Sequence, residues 1–159
     1  MKHDAVLTVA ITGMNAVPDN PGAGLAVARC LREAYGQRIR IVGLGYDALD
    51  PGLHRREYCD SAHLLSYPGS GTDAFFERLA EIHDIERIDV LLPCLDAELP
   101  LLVNLAPRLA AHHNAVYLDA ALFTRIASLH GRRAGLGLDA EQLRVLERYR
   151  TVFRRAGAH

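Results

Sequence analysis

Apolar residues in this chain fall into two alternating patterns. Ala5 to Thr12 (AVLTVAIT), Arg38 to Leu44 (RIRIVGL), Ser61 to Tyr67 (SAHLLSY), Ile88 to Pro93 (IDVLLP) and Ala115 to Leu118 (AVYL) are short runs that read as strands. The unbroken run at 88–93 suits a strand covered on both faces of a parallel sheet. Between the runs, apolar positions recur at helical spacing, which predicts helices over about 23–36, 73–84, 98–112, 120–130 and 139–156. Phe75, Leu79 and Ile82 lie on one stripe of the second helix, and Leu143, Leu146, Tyr149 and Phe153 on one side of the last. Thr72 or Asp73 is the expected N-cap of the second helix, Asp119 caps the fourth and Asp139 starts the last. Gly131 to Gly137 (GRRAGLG) reads as a break.

Strands alternating with helices through short loops predict an α/β fold: an open, mainly parallel sheet of about five strands, helices on both faces and a C-terminal helix. Ligands of such sheets bind beyond the carboxyl ends of the strands, where strand order reverses. Three segments should meet there: the loop from Gly13 to Gly24, Gly45-Tyr46-Asp47, and Pro93 to Glu98. The first is rich in small residues and leads into a helix N-terminus, a corner suited to a nucleotide, phosphate or carboxylate. The same glycines could equally serve only a turn and close helix–strand packing.

With 159 residues, half of them apolar, and a net charge of −1, the chain is long enough for one well-filled core. It has no apolar run of membrane-spanning length and no signal-peptide pattern at MKHDAVL. Cys30, Cys59 and Cys94 are odd in number and scattered, as reduced thiols of a cytoplasmic protein would be. Lys2 is the only lysine, so a Schiff base or a P-loop lysine further along is excluded.

Charge is uneven. Residues 1–124 carry ten Lys/Arg against sixteen Asp/Glu, and residues 125–159 eight Arg against three acids. The basic stretch is read as a helical extension, residues 125–159, following a domain of residues 1–124. Its arginines make a solvated helix face or a partner surface. Nucleic acid is disfavoured because no aromatics alternate with them.

The first loop lacks the G-x-G-x-x-G spacing of dinucleotide sites and the Gly-Lys-Ser/Thr of a Walker loop, although Asp47 ends the second strand where a ribose-binding acid would stand. Asp96 and Glu98 could orient an amine or hold a metal, or one of them could cap the following helix. His112 and His113 face different directions on a helix, and His54 and His63 are isolated, so zinc is not expected. Ser70 sits in Gly69-Ser70-Gly71, which is not a nucleophile elbow, and no catalytic residue is assigned.

Three segments together resemble the N-terminal domain of ATP-grasp enzymes, the pre-ATP-grasp or biotin-carboxylase-like N-terminal domain. They are ITGMNAVPDNPGAGLAVARCLREA, IVGLGYDALDPGLH and IDVLLPCLDAELPLL. The resemblance spans about residues 5–122 and is nearest to carboxylate–amine ligase-like members. It implies a Rossmann-like sheet forming one wall of an active-site cleft. It also implies ligand-binding roles for Gly13, Asn15, Asn20, Gly22, Ala23, Gly24, Asp47, Asp96 and Glu98. Family members activate a carboxylate as an acyl phosphate that an amine attacks, with ATP held mainly by two later domains. The segment after Leu122 does not resemble their start. The resemblance therefore implies a stand-alone binding or accessory subunit of a split ligase, incomplete as a catalyst by itself. It would take a small acidic or amino-acid-like ligand, bind no cofactor tightly, and meet ATP and magnesium only through a partner ATP-grasp polypeptide; a homodimer is the other partner expected. Two alternatives stand beside it: a Rossmann-like sensor of NAD, S-adenosylmethionine or a free nucleotide, and a degenerate protein that folds without a ligand.

Overall fold

The computed structural model describes residues 6–17, 20–113 and 116–117. The first element described is β1 (Leu7–Ile11), all five residues of which are buried. A two-residue antiparallel ribbon follows, β2 (Ala16–Val17) against β3 (Asn20–Pro21). Then come α1 (Ala23–Tyr35), β4 (Ile39–Gly45), β5 (Ser61–Leu64), α2 (Thr72–Glu86), β6 (Val90–Leu92), α3 (Leu99–His113) and β7 (Val116–Tyr117).

The fold is α/β, with a parallel sheet ordered β5-β4-β1-β6-β7. Four strands of three or more residues form its body, and β7 contributes two residues beside β6. In register, Val9 stands between Ile41 and Val90.

Side chains alternate across a strand, and two separate cores result. Leu7, Val9, Ile11, Ile39, Ile41 and Val90 pack with Ala28 of α1. Ala10, Val42, Leu44 and Leu91 pack with Phe75, Phe76, Leu79 and Ile82 of α2 and Leu102, Leu105 and Leu109 of α3. Helices therefore cover both faces, α1 on one and α2 and α3 on the other. The stripe expected from Phe75, Leu79 and Ile82 is the buried one.

Several expected boundaries move. The third strand stops at Leu64 rather than Tyr67, because Leu65 N–H makes its bond to the carbonyl of Gly45, where β4 ends. Neither Thr72 nor Asp73 caps α2. Gly71 holds the N-cap position without a side-chain bond, and Asp73 instead pairs with Arg108 of α3. Pro107 lies inside α3 on an exposed position, as does Val103, whose carbonyl loses its helical partner there. The 2-residue ribbon was not expected within the glycine loop. The expected helices at 120–130 and 139–156, the break at 131–137 and the extension 125–159 lie outside the described residues.

The first described strand, β1, lies in the middle of the sheet; β4 and β5 fill one side of it, and β6 lies on the other. The neighbours β1 and β6 lead into helices on opposite faces, α1 and α3. Their carboxyl ends are thus the point where strand order reverses.

Candidate functional site

Loops after β1, β4 and β6 converge at that point, and a buried carboxyl group joins them. Glu98 is 0% exposed although it lies in a single turn, Asp96–Glu98, that opens α3. Its Oε2 accepts a 2.6 Å bond from the hydroxyl of Thr12, the residue after β1. Its Oε1 accepts a 2.6 Å bond from the hydroxyl of Tyr46, the residue after β4. The Thr12 hydroxyl oxygen in turn accepts the Cys94 N–H at 2.8 Å. Tyr46 stacks on Tyr67, which follows β5, with ring centroids 5.3 Å apart. The result is a rail of side chains from beyond four strands, running Tyr67, Tyr46, Glu98, Thr12.

Electrostatics at the rail follow from burial. Burial pushes the Glu98 carboxyl above its ordinary value, and the bonds from Thr12 and Tyr46 recover only part of that shift. The Tyr46 hydroxyl is raised by its own burial and by its bond to Glu98. The Cys94 thiol is pushed up to about 12, by burial first and then by the neighbouring Glu98 charge. Cys94 is consequently a poor nucleophile, since the thiolate is the reactive form. Among the described residues, no cation pairs with Glu98. The segments 12–24, 45–52 and 93–98 contain five acids and no Lys, Arg or His.

The expected site residues take up different places. Gly13, Gly22 and Gly24 close the first loop tightly on itself. Gly24 N–H donates to the carbonyl of Gly13 at 3.0 Å, and the N–H groups of Leu25 and Ala26 donate to Gly22. A Cβ on Gly24 would lie 1.8 Å from the Thr12 carbonyl oxygen, and one on Gly22 would lie 1.9 Å from that of Asn15. These glycines are therefore required by close backbone approach. The Gly24 amide, which an anion at this helix terminus would use, points into the loop. Ala23 is the exposed first residue of α1, and Asn20 forms the ribbon opposite Val17. The side-chain oxygen of Asn15 is buried with no hydrogen-bond partner among the described residues.

Asp47 is exposed, and its Oδ1 accepts the N–H of Leu49 at 2.8 Å, a local turn bond. Asp96 is exposed at the first position of the turn before α3, whereas Glu98, two residues on, is sealed inside. The two acids do not form a pair. Sequence reasoning passed over Thr12, Tyr46 and Asp50. Asp50 Oδ2 accepts the N–H groups of both Tyr46 and Asp47 at 3.1 and 3.2 Å, which fixes the loop after β4. The first loop is tied to that loop as well, through Gly52 N–H to the Met14 carbonyl at 2.9 Å. The D-x-x-D-P-G spacing held the signal for Asp50. No comparable signal marks Thr12.

Among the described residues, no group of three or more His, Cys, Asp or Glu is placed to hold a metal ion. Nor is any of their helices long and apolar enough to cross a membrane. No protein-family model matches the chain, and a search of curated proteins finds no match to it.

Proposed function

We propose that this domain is a pre-ATP-grasp-like binding module, an accessory part of an ATP-dependent carboxylate–amine ligase. The observation that carries the reading is the convergence at Glu98. Three segments that resemble one family lie up to 86 residues apart in sequence, and they meet there through two 2.6 Å bonds. A titratable group with a displaced pKa, at the point where strand order reverses, is where a ligand site of such a sheet is sought. Of the small acidic or amino-acid-like ligands expected, the five acids of the three loops favour one that brings an amino group, and it sits over Gly13, Asn15, Asp47 and Asp96. The buried Asn15 oxygen favours a ligand that brings a donor, such as an amino group. The sheet is read as Rossmann-like and five-stranded, with Val116–Tyr117 as the fifth strand. The free cysteines fit a cytoplasmic setting.

Phosphoryl transfer requires positioned charge to neutralise the phosphates. With no lysine after Lys2 and no base in the three loops, this module leaves ATP and magnesium to a partner ATP-grasp polypeptide. The nucleotide-sensor alternative draws on Asp47 at the end of β4. It is less well supported, because the Gly24 amide is already bonded to Gly13.

The test is an amide NMR titration of the protein with L-glutamate, L-alanine, magnesium ATP, NAD and S-adenosylmethionine. Saturable shifts at Gly13, Asn15, Asp47 and Asp96 with an amino acid are expected. Saturation by a nucleotide alone, abolished in Asp47→Ala, would transfer the site to the sensor reading. Silence with all five probes would remove both.

A further inference from the structure

The bonds at Glu98 come from hydroxyls, and hydroxyls can accept as well as donate. That separates this carboxyl group from one held by arginine or lysine. When Glu98 is ionised, Thr12 and Tyr46 both donate to it. When a proton is placed on Oε1, that oxygen becomes a donor and the Tyr46 oxygen can accept from it. The Tyr46 hydrogen is then released for another acceptor. Thr12 is less free to reverse, because its oxygen already accepts the Cys94 N–H. The two arrangements share their heavy atoms and differ by one proton and the direction of one bond.

We propose that Glu98 and Tyr46 form a proton-coupled switch, in which protonation of Glu98 turns the Tyr46 hydroxyl from an internal bond into a donor offered at the carboxyl edge of the sheet. Sequence and geometry both place the switch at the entrance of the same loops. Tyr46 is only partly buried, its ring lies on the 60% exposed Tyr67, and its backbone N–H is fixed by Asp50. The ring of Tyr46 is therefore held in place while the direction of its hydroxyl bond changes. The switch regulates the site assigned above and rests on that reading only for its use, not for its existence.

The groups around Glu98 define what else can titrate with it. Thr12, from the end of β1, brings no charge. Tyr46 brings the loop after β4, in which Asp47 and Asp50 also lie. The turn after β6 brings Cys94, whose thiol stays protonated up to about 12, and the exposed Asp96. Burial favours the neutral form of Glu98 and the two hydroxyl bonds favour the ionised form. These opposed effects keep both forms within reach.

The experiment is a carbon-13 NMR titration of the ligand-free protein, reading the Glu98 carboxyl carbon and the Tyr46 Cζ together. Glu98 is expected to titrate above the ordinary carboxyl value of 4.5. Tyr46 Cζ is expected to shift with the same midpoint while the phenol remains neutral. Tyr46→Phe removes a bond from both forms, so the Glu98 midpoint should rise by well under one pH unit, whereas a Tyr46 that only donates to the carboxylate would lose its bond chiefly from the ionised form and give a rise of about one unit. A Glu98 midpoint at the ordinary value, or a Tyr46 signal that stays flat as Glu98 titrates, overturns the proposal. A rise of about one unit in Tyr46→Phe would mark a purely structural tie and overturns it as well. The readings are all taken without ligand, so failure here leaves the binding reading untouched.

Discussion

Two glutamates of this domain, one sealed inside and one at the edge of the core, are displaced in opposite directions. Glu98 is held by two hydroxyls and is raised. Glu86, at the end of α2, has a side chain only 6% exposed, yet its carboxyl is lowered. Burial pushes Glu86 up as well, but bonds from His63 of β5 at 2.7 Å and from Arg40 of β4 at 2.8 and 3.1 Å outweigh it. The difference is the balance of burial and bonding: Glu86 loses less water and has its carboxylate favoured by His63, Arg40 and Ser61, with the Arg40 charge adding to them, whereas Glu98 is buried more deeply and has two neutral hydroxyls alone. Glu86 serves as a rivet between sheet and helix. Glu98 keeps an unsettled charge where three loops meet.

The largest effect expected breaks the carboxyl edge alone. Gly24→Ala drives a Cβ to within 1.8 Å of the Thr12 carbonyl oxygen, which the loop cannot yield without moving the residue that bonds Glu98. A loss of about 3 kcal/mol or more is expected in urea unfolding. A wild-type midpoint would mean that the loop does not pack this closely. Glu86→Gln comes next, with a loss of about 1–2 kcal/mol at neutral pH, since a glutamine has one accepting oxygen where Arg40 and His63 use two and carries no charge for Arg40. Because Glu86 is lowered on folding, its stabilisation is present above the ordinary carboxyl value and is lost as pH falls through the folded value. Glu86→Gln should therefore flatten the acid limb of the stability profile. An acid limb as steep as that of the wild type would show that the ion pairs do not form.

The residue pattern made much of this architecture legible. Alternating short apolar runs and helical stripes place β1, β4, β5, β6, α1, α2 and α3 within a few residues of their ends, because each must bury a face against the sheet. Glu98 and Gly24 also stood out from sequence. Their roles did not. Thr12 ends a strand as threonines commonly do, and Tyr46 was one polar aromatic in a loop. Only the order β4-β1-β6 brings them within 2.6 Å of one carboxyl group, over sequence separations of 86 and 52 residues. The glycine corner stayed open between two readings for a related reason. Small residues announce close approach, but not whether a ligand or the chain's own carbonyls will occupy the amides. Here Gly13 and Gly22 carbonyls do.

Glu98→Gln sharpens the comparison, with a sign opposite to that at Glu86. A carboxyl raised on folding contributes its stabilisation below the ordinary value and loses it as pH rises through the folded value. Glutamine cannot ionise, so the variant should lose less stability than the wild type between mildly acidic and alkaline pH. Thermal unfolding across that range would show it. At acidic pH the two proteins should differ by about 1 kcal/mol or less, since glutamine can still accept from one hydroxyl. A variant profile parallel to the wild type would mean that Glu98 carries no displaced proton.

The smallest effect tests whether the rail extends to its exposed end. Tyr67→Ala removes the ring stacked on Tyr46, at a cost of about 0.5–1 kcal/mol. Tyr67 is largely exposed, so loss of buried area adds little. The useful reading is comparative. If stacking fixes the Tyr46 ring, Tyr67→Ala should loosen the hydroxyl on Glu98 and raise the Glu98 midpoint slightly, while the acid limb set by Glu86 stays unchanged. A change at Glu86 instead would place Tyr67 in the β5–α2 packing rather than at the carboxyl edge. Since Ser66, beside Tyr67, bonds the carbonyl of Ala74 in α2, that outcome has a physical route and the two readings are separable in one titration.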